Sequence, residues 1–157
     1  AGGRLQRMTV RPAAMCDQSR VIALLRNFYA AHRDRTPMRF EFDPVYASRL
    51  FSTHAFDKRA CCFVLDVDGK AQGLLMAMAH EHLFAPAIVA RETVWWIEPS
   101  HRSVRAARDM MQAYEDWARR RGCAYAALAA LEDDRAVMTL YRRAGYRLAE
   151  THALKAL

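Results

Sequence analysis

Apolar side chains recur along this chain with two different periods, and their order predicts the architecture. Spacing of three to four residues, which is typical of amphipathic helices, is found at 21–32, 43–51, 104–118 and 137–144. The third segment follows Ser103, a residue suited to cap a helix, and ends before Gly122, where a helix stop is expected. The pattern therefore predicts four helices.

Six other apolar segments have the length and composition of β-strands. They lie at 10–12, 61–67, 71–82, 88–97, 125–131 and 146–157. Asp68-Gly69 predicts a hairpin turn between the second and third strands, and the almost unbroken apolar run of 125–131 is typical of a strand covered on both faces. The third helix should join parallel strands by a right-handed crossover. The expected fold class is a mixed α/β sheet with helices on both sides.

Length and composition indicate one ordinary globular domain. The chain has 157 residues, of which 53% are hydrophobic and 26% charged, and this suits a single core. We expect the domain to span 8–157, and residues 1–7 to be either a remnant foreign to the natural protein or a disordered N-terminus. No run approaches about 18 consecutive apolar residues, so no membrane span is expected. The four cysteines form no C-x-x-C pair, which favours buried free thiols and a cytoplasmic location.

The basic charge of the chain has two explanations that composition cannot separate. Lys and Arg number 24 against 17 Asp and Glu, which gives a formal net charge of +7. A nucleic-acid surface would need such charge, and so would a site for an anionic cofactor, because guanidinium groups suit phosphate.

One basic turn favours the second explanation locally. Arg102-Ser103-Val104-Arg105-Ala106-Ala107 follows a strand and opens the third helix. The first N–H groups of a helix have no intrahelical partner and attract anions, and Arg102 and Arg105 add full charges. The small residues Ser103, Ala106 and Ala107 would let a pyrophosphate approach the backbone. The alternative is a plain strand-to-helix turn with solvated arginines.

The same turn resembles the acyl-CoA loop, Arg/Gln-x-x-Gly-x-Gly/Ala, of the GCN5-related N-acetyltransferase (GNAT) superfamily. Arg102 and Ala107 fit that pattern, whereas Arg105 stands where the family usually has glycine. Leu140-Tyr141-Arg142-Arg143-Ala144-Gly145-Tyr146 resembles the family's Leu-Tyr-x-x-x-Gly-Phe/Tyr signature. The resemblance covers about 10–157, and the double Trp before Ile97 is similar to a bacterial and phage subgroup.

The resemblance implies a fold, a cosubstrate and a reaction. The fold would be that of acyl-CoA N-acyltransferases, a mostly antiparallel twisted sheet of about six strands with helices on both faces. Acetyl-CoA would donate an acetyl group to a primary amine, which attacks the thioester directly. Backbone N–H groups near Trp96 and Ile97 would hold the pantetheine and polarise the carbonyl. The pyrophosphate would bind the loop formed by Arg102, Ser103, Val104, Arg105, Ala106 and Ala107.

The resemblance also suggests which groups move protons. Tyr141 matches the tyrosine near the CoA sulfur and is the candidate general acid; packing of the helix against the sheet is the alternative role. Glu92 and Glu98 are candidate bases, and a chain of water molecules is the other option.

The acceptor would be a small-molecule or peptide amine. Phe28 and Tyr29 lie in the region that walls the acceptor site in the family. His80 and His82 share one face of a strand and would line or rim the acceptor groove. A metal needs about two further ligands, and the sequence offers no such cluster, so no metal is expected.

Two other hypotheses about function compete with that of an enzyme. The first is a catalytically inactive domain of the same fold that binds CoA or a protein partner. Arg105, at the place of the family's usual glycine, supports this hypothesis. A nucleic-acid-binding module rests on charge alone, so nucleic acid is not the expected partner. A homodimer through the C-terminal strands, common in the family, is the expected assembly.

Overall fold

The computed structural model describes residues 6–157. In that part of the chain, strands and helices follow the order β1, α1, α2, β2, β3, β4, α3, β5, α4. The strands are β1 (Met8–Pro12), β2 (Ala60–Val67), β3 (Lys70–His82), β4 (Ala85–Ile97) and β5 (Cys123–Ala127). The helices are α1 (Gln18–His32), α2 (Pro44–Phe56), α3 (Val104–Arg120) and α4 (Arg135–Arg143). Of the N-terminal segment expected at 1–7, only Gln6 and Arg7 lie within the described residues.

The strands form one mixed sheet in the order β1-β2-β3-β4-β5. The first three pairs are antiparallel, and β4 pairs with β5 in parallel through the α3 crossover. Asp68 and Gly69 have φ values of 51° and 87°, and positive φ at both positions is what a tight hairpin turn requires. The predicted mixed α/β class is confirmed.

Helices cover both faces of the sheet, as the sequence predicts. On one face, α1 and α2 pack on a cluster that includes Leu24, Phe51 and Trp96. On the other face, α3 contributes Met110 and Tyr114 to a second cluster. The first turn of α2 is held by Asp43, whose carboxylate accepts hydrogen bonds from two backbone N–H groups. The two clusters make β2, β3 and the second half of β4 a rigid centre.

The end of the chain differs from the prediction. Residues 146–157 form no strand, so the described chain has five strands rather than about six. The strand predicted at 125–131 ends at Ala127, and it is not covered on both faces, because Tyr125 is 73% exposed. β5 is also the edge strand of the sheet, so within the described residues one of its sides has no paired strand. An apolar run alone does not reveal whether a further strand pairs with that edge.

Candidate active site

A gap opens between β4 and β5 at the middle of β4. The two strands pair in parallel up to Arg91 and Ala127, where β5 ends. Beyond that point β4 runs on to Ile97 with no strand partner on this side among residues 6–157. On this side its backbone pairs with no strand of the described chain and, apart from the Ile97 carbonyl, which accepts from Arg102, it offers hydrogen-bonding groups to an extended ligand. This is the edge at which Trp96 and Ile97 were expected to hold pantetheine.

A β-bulge at Thr93 decides which side chains face the gap. Across β3, Met76 pairs with Val94 and Ala77 pairs with Glu92, which leaves Thr93 as an extra residue in β4. Thr93 and Val94 consequently share the face covered by α1 and α2. There Val94 joins the core and the Thr93 hydroxyl meets His54. Glu92 points to the opposite face.

Glu92 is half-buried at the apex of the gap. Its Oε2 accepts a hydrogen bond from the Ala129 N–H at 3.0 Å. Burial raises the pKa of Glu92 from its usual 4.5 to about 7, and the hydrogen bond from Ala129 opposes that rise only in part. A carboxylate with a pKa near neutrality is suited to accept a proton at physiological pH.

Tyr141 reaches the same peptide from α4. Its hydroxyl donates to the Ala129 carbonyl oxygen at 2.7 Å, and its ring stacks on Trp95 with 6.1 Å between centroids. Burial, and then the charge of Glu92, raise the pKa of Tyr141, so the hydroxyl is protonated at neutral pH. The backbone of Ala129 therefore joins the candidate acid to the candidate base.

Sequence reasoning missed Ala129 because both contacts are made by its backbone. No side-chain pattern marks such a residue. The signal that could have found it is its place in the segment after β5, opposite the part of β4 that carries Glu92.

Glu98 is held elsewhere. Its Oε1 accepts from Asn27 Nδ2 at 2.5 Å and lies 3.6 Å from an Arg20 guanidinium nitrogen. Both partners belong to α1, so Glu98 anchors that helix to the end of β4. The structure does not bring it to the contacts that Glu92 and Tyr141 share.

The basic turn at the start of α3 offers backbone donors. Ser103 caps the helix by accepting from the Ala106 N–H at 3.0 Å. Within the described chain, the N–H groups of Val104 and Arg105 have no protein partner. The Arg105 side chain is exposed and lies 3.7 Å from Asp109 one turn later. The turn therefore has the donors and the positive charge that an anion needs.

Other residues of the turn support the fold. Arg102 turns back over the Trp96 ring, 4.5 Å from its centroid, and its Nε donates to the Ile97 carbonyl oxygen at 2.9 Å. Ala106 and Ala107 are buried on the inner face of α3. Their small size thus serves the packing of α3 on the sheet, and contact of Arg102 or these alanines with phosphate stays a prediction.

An aromatic cavity lies on the opposite side of the sheet, between α1 and α2. Its volume is about 230 Å³, and its walls include Phe28 and Tyr29. Glu41 and Asp43 also line it. Phe28 packs edge-on against Trp96, with 6.2 Å between ring centroids. One wall residue of the cavity therefore packs against the second half of β4.

His80 and His82 lie towards the β3–β4 hairpin. His80 pairs with Val89, four residues before Thr93, which is about 13 Å along a strand. The His82 ring contacts Phe84. Among residues 6–157, no group of three His, Cys, Asp or Glu side chains could hold a metal ion.

Comparison with known proteins places this geometry in context. No curated protein sequence matches the chain. A transcriptional regulator from Bacillus halodurans C-125 is 17% identical, with a TM-score of 0.79 over 96% of this chain and 100% of that one. A predicted acetyltransferase with acetyl-CoA from Clostridium acetobutylicum is 14% identical, with a TM-score of 0.77 over 96% of each chain.

A third similar structure contains a bisubstrate analogue. AAC(6')-Iy, in complex with the bisubstrate analogue CoA-S-monomethyl-acetylneamine, is 15% identical, with a TM-score of 0.79 over 96% of this chain and 98% of that one. The model of the Acetyltransferase (GNAT) family matches residues 25–146, which include β4, the turn before α3, and Tyr141. On this match and the shared fold, the chain belongs to the GNAT family of acetyltransferases.

Proposed function

We propose that the protein is an N-acetyltransferase that moves the acetyl group of acetyl-CoA to a primary amine by direct attack on the thioester. The observation that carries the proposal is the convergence of Glu92 and Tyr141 on Ala129. It puts a carboxylate with a pKa of about 7 and a protonated phenol at the apex of the gap between β4 and β5. Proton acceptor and proton donor are the two groups that such a transfer needs.

The chemistry follows from these two groups. The amine nitrogen forms a bond to the thioester carbonyl carbon, and Glu92 takes the proton that the nitrogen loses, directly or through water. Free N–H groups of β4 stabilise the oxyanion of the tetrahedral intermediate. When the intermediate collapses the carbon–sulfur bond breaks, and Tyr141 gives its proton to the thiolate. The products are an acetamide and CoA with a free thiol.

The donors for acetyl-CoA lie along one path. Val104 and Arg105 offer N–H groups and positive charge for the pyrophosphate, and the free edge of β4 suits the amide-rich pantetheine. Among the described residues, the indole N–H groups of Trp95 and Trp96 are buried without a protein partner. Such unsatisfied donors in β4 favour a bound acceptor of hydrogen bonds that protein atoms do not supply.

The acceptor amine would enter from the face of the sheet that α1 and α2 cover. Phe28 and Tyr29 line an apolar cavity that also carries Glu41 and Asp43, and this combination suits an amine with an apolar body. His80 and His82 do not line this cavity and lie towards the β3–β4 hairpin, so their contact with the acceptor stays a prediction. The bisubstrate analogue in AAC(6')-Iy joins CoA to an amine-derived compound, which supports a small-molecule amine here.

Calorimetry and turnover test the proposal together. Acetyl-CoA should bind the wild type with micromolar affinity, and Arg105→Ala should weaken binding, with Arg102→Ala as the comparison on the same turn. Turnover is followed as acetylated product by mass spectrometry, with neamine, spermidine and a peptide with a free N-terminus as acceptors. Product detection is preferred because Cys16 is exposed and would react with thiol reagents.

The second candidate is an inactive domain that binds CoA or a protein partner. It is favoured by Arg105 at the place of the family's glycine, and by the attachment of Arg102 to Ile97. Tight binding of acetyl-CoA with no acetylated product from any amine would favour this candidate. Absence of binding at millimolar acetyl-CoA would reject the enzyme and leave the inactive domain that binds a protein partner.

We also propose a homodimer and a reducing compartment. The outer edge of β5 has no strand partner within the described residues, and an exposed edge is a surface on which a second chain can pair. Light scattering after size exclusion would show twice the mass of the chain; a monomer would reject the dimer.

The proposal of a reducing compartment rests on the thiols. The four cysteines are free, and burial raises the pKa of Cys61 and Cys62 to about 12, which keeps them as thiols.

A further inference from the structure

His54 is a buried polar residue in the last turn of α2. Its side chain is 1% exposed, yet both ring nitrogens have partners. Nδ1 lies 2.8 Å from the Leu50 carbonyl oxygen, and Nε2 lies 2.8 Å from the Thr93 hydroxyl. Nothing in the reaction described so far uses this histidine.

The partners of His54 determine its tautomer. A carbonyl oxygen only accepts hydrogen bonds, so Nδ1 must carry the proton. Burial lowers the pKa of His54 and keeps the ring neutral. Nε2 then has a lone pair, and the Thr93 hydroxyl must donate its hydrogen to it. The Thr93 oxygen is left as an acceptor only.

Thr93 occupies a special place in β4. It is the extra residue of the bulge and follows Glu92 directly. It lies two residues beyond the last parallel pair, Arg91 with Ala127, and it is exposed. Glu92 and Thr93 are therefore neighbours in β4 whose side chains leave the strand on opposite faces.

The aromatic cavity shares one wall residue with the support of His54. Leu50, whose carbonyl fixes His54, is also part of the cavity wall. A hydroxyl that only accepts is thus linked through His54 to a wall residue of a cavity suited to an amine, and it follows directly in sequence the carboxylate suited to remove a proton.

We propose that Thr93 Oγ1 accepts a hydrogen bond from the incoming primary amine and that His54 is the positioning residue that fixes this hydroxyl. The inference rests on the proposed N-acetyl transfer. A neutral primary amine has two N–H bonds, one for Glu92 or its water and one for Thr93, while its lone pair attacks the carbonyl. A secondary amine has one N–H bond and cannot satisfy both groups. The pair therefore selects primary amines.

The test uses variants that separate the hydroxyl from the shape of the side chain. Thr93→Val should lower kcat/KM for the best acceptor of the panel by about ten- to a hundredfold, as expected for a lost hydrogen bond at a charge-developing site. Thr93→Ser keeps the hydroxyl and should stay within about threefold of the wild type. The preference for that amine over its N-methyl derivative should shrink in Thr93→Val but not in Thr93→Ser. Thr53→Val, an exposed change one residue from His54, is the matched control.

A double-mutant cycle tests the role of His54. His54→Leu should lower kcat/KM about as much as Thr93→Val, and the two changes combined should cost no more than either alone. His54→Gln places an acceptor near the Nε2 position and should restore most of the activity. Affinity for acetyl-CoA should be unchanged in Thr93→Val, Thr93→Ser and His54→Gln.

Two results would overturn the inference. One is a Thr93→Val enzyme with the wild-type kcat/KM and amine preference; the other is equal damage in Thr93→Val and Thr93→Ser, which would mean that packing matters and the hydroxyl does not. Failure of the proposed function looks different, because the wild type itself would then acetylate no amine, and the inference would fall with it.

Discussion

At the residue scale, Glu92 links activity to pH. Burial raises its pKa to about 7, so kcat/KM should rise as pH passes through about 7 and the carboxylate loses its proton. Glu92→Gln should lower kcat about 100- to 10,000-fold, the usual range for a general base. Steady-state kinetics from pH 5.5 to 9 checks both statements. A wild-type profile that is flat across pH 7, or an active Glu92→Gln enzyme, would remove Glu92 from the reaction.

The same carboxylate should affect stability in the opposite direction. Because the pKa is higher in the folded state than in the unfolded chain, the folded state binds the proton more tightly. The free energy of unfolding should therefore fall as pH rises from about 4.5 through 7. Glu92→Gln removes this loss and should be more stable than the wild type above pH 8, by about 1–3 kcal/mol. Urea unfolding at pH 5 and pH 8.5 compares the two proteins, and an equal pH dependence would contradict the expectation.

Tyr141 is expected to act on the leaving thiolate. Tyr141→Phe keeps the ring that stacks on Trp95 and removes only the hydroxyl. We expect kcat to fall about 100-fold, acetyl-CoA affinity to hold, and stability to fall by about 1 kcal/mol through loss of the hydrogen bond to Ala129. Tyr146→Phe is the matched control, because its hydroxyl contacts Glu115. Equal loss of kcat in both variants would mean that packing alone is at work.

At the scale of elements, Gly73 lets β3 approach the free end of β4. A Cβ at this position would lie 3.0 Å from the Trp96 carbonyl oxygen and 3.2 Å from Ile97 Cγ1. Gly73→Ala should therefore push the end of β4 outwards, reduce stability by about 1–3 kcal/mol and weaken acetyl-CoA binding. Calorimetry and urea unfolding measure both effects. Unchanged binding would show that the backbone of Trp96 and Ile97 does not hold the cosubstrate.

At the scale of the whole molecule, β5 and α4 are attached more weakly than the rest. The pairing of β5 with β4 is short and β5 is partly exposed. The bridges from Arg35 to Asp133 and from Arg91 to Glu150 are exposed, and such pairs contribute little. A ligand in the gap would contact both parts and tie them together.

Hydrogen exchange should report this coupling. Amides of β5 and α4 should exchange faster than those of β2 and β3 in the free protein, because weakly attached elements open locally. Saturating acetyl-CoA should slow exchange in β5 and α4 most, whereas β2 serves as the internal control. Mass spectrometry after exchange, with and without acetyl-CoA, makes the comparison. Equal protection of all strands by the ligand would contradict a binding site in the gap.

The sequence by itself determined much of this protein, because the signals are local. Helical and strand periods predict the order of elements up to α4, and the segment from Leu140 to Tyr146 indicates the family. The order of elements and the family depend on residues close together in the chain, where spacing and side-chain type are sufficient. The resemblance also names Tyr141, but it leaves Glu92, Glu98 and a chain of water molecules as alternative bases, and only the structure joins Glu92 and Tyr141 through Ala129.

Only the tertiary structure decided how the site is assembled. The bulge at Thr93, the end of β5 at Ala127 and the contact of His54 with Thr93 depend on the register between segments far apart in sequence. Ala129 acts through its backbone, which no residue type reveals. The apolar pattern of 146–157 suggested a strand, but a strand forms only where another edge is in place to pair with it. Pairing is a property of the folded chain, whereas periodicity belongs to each segment alone.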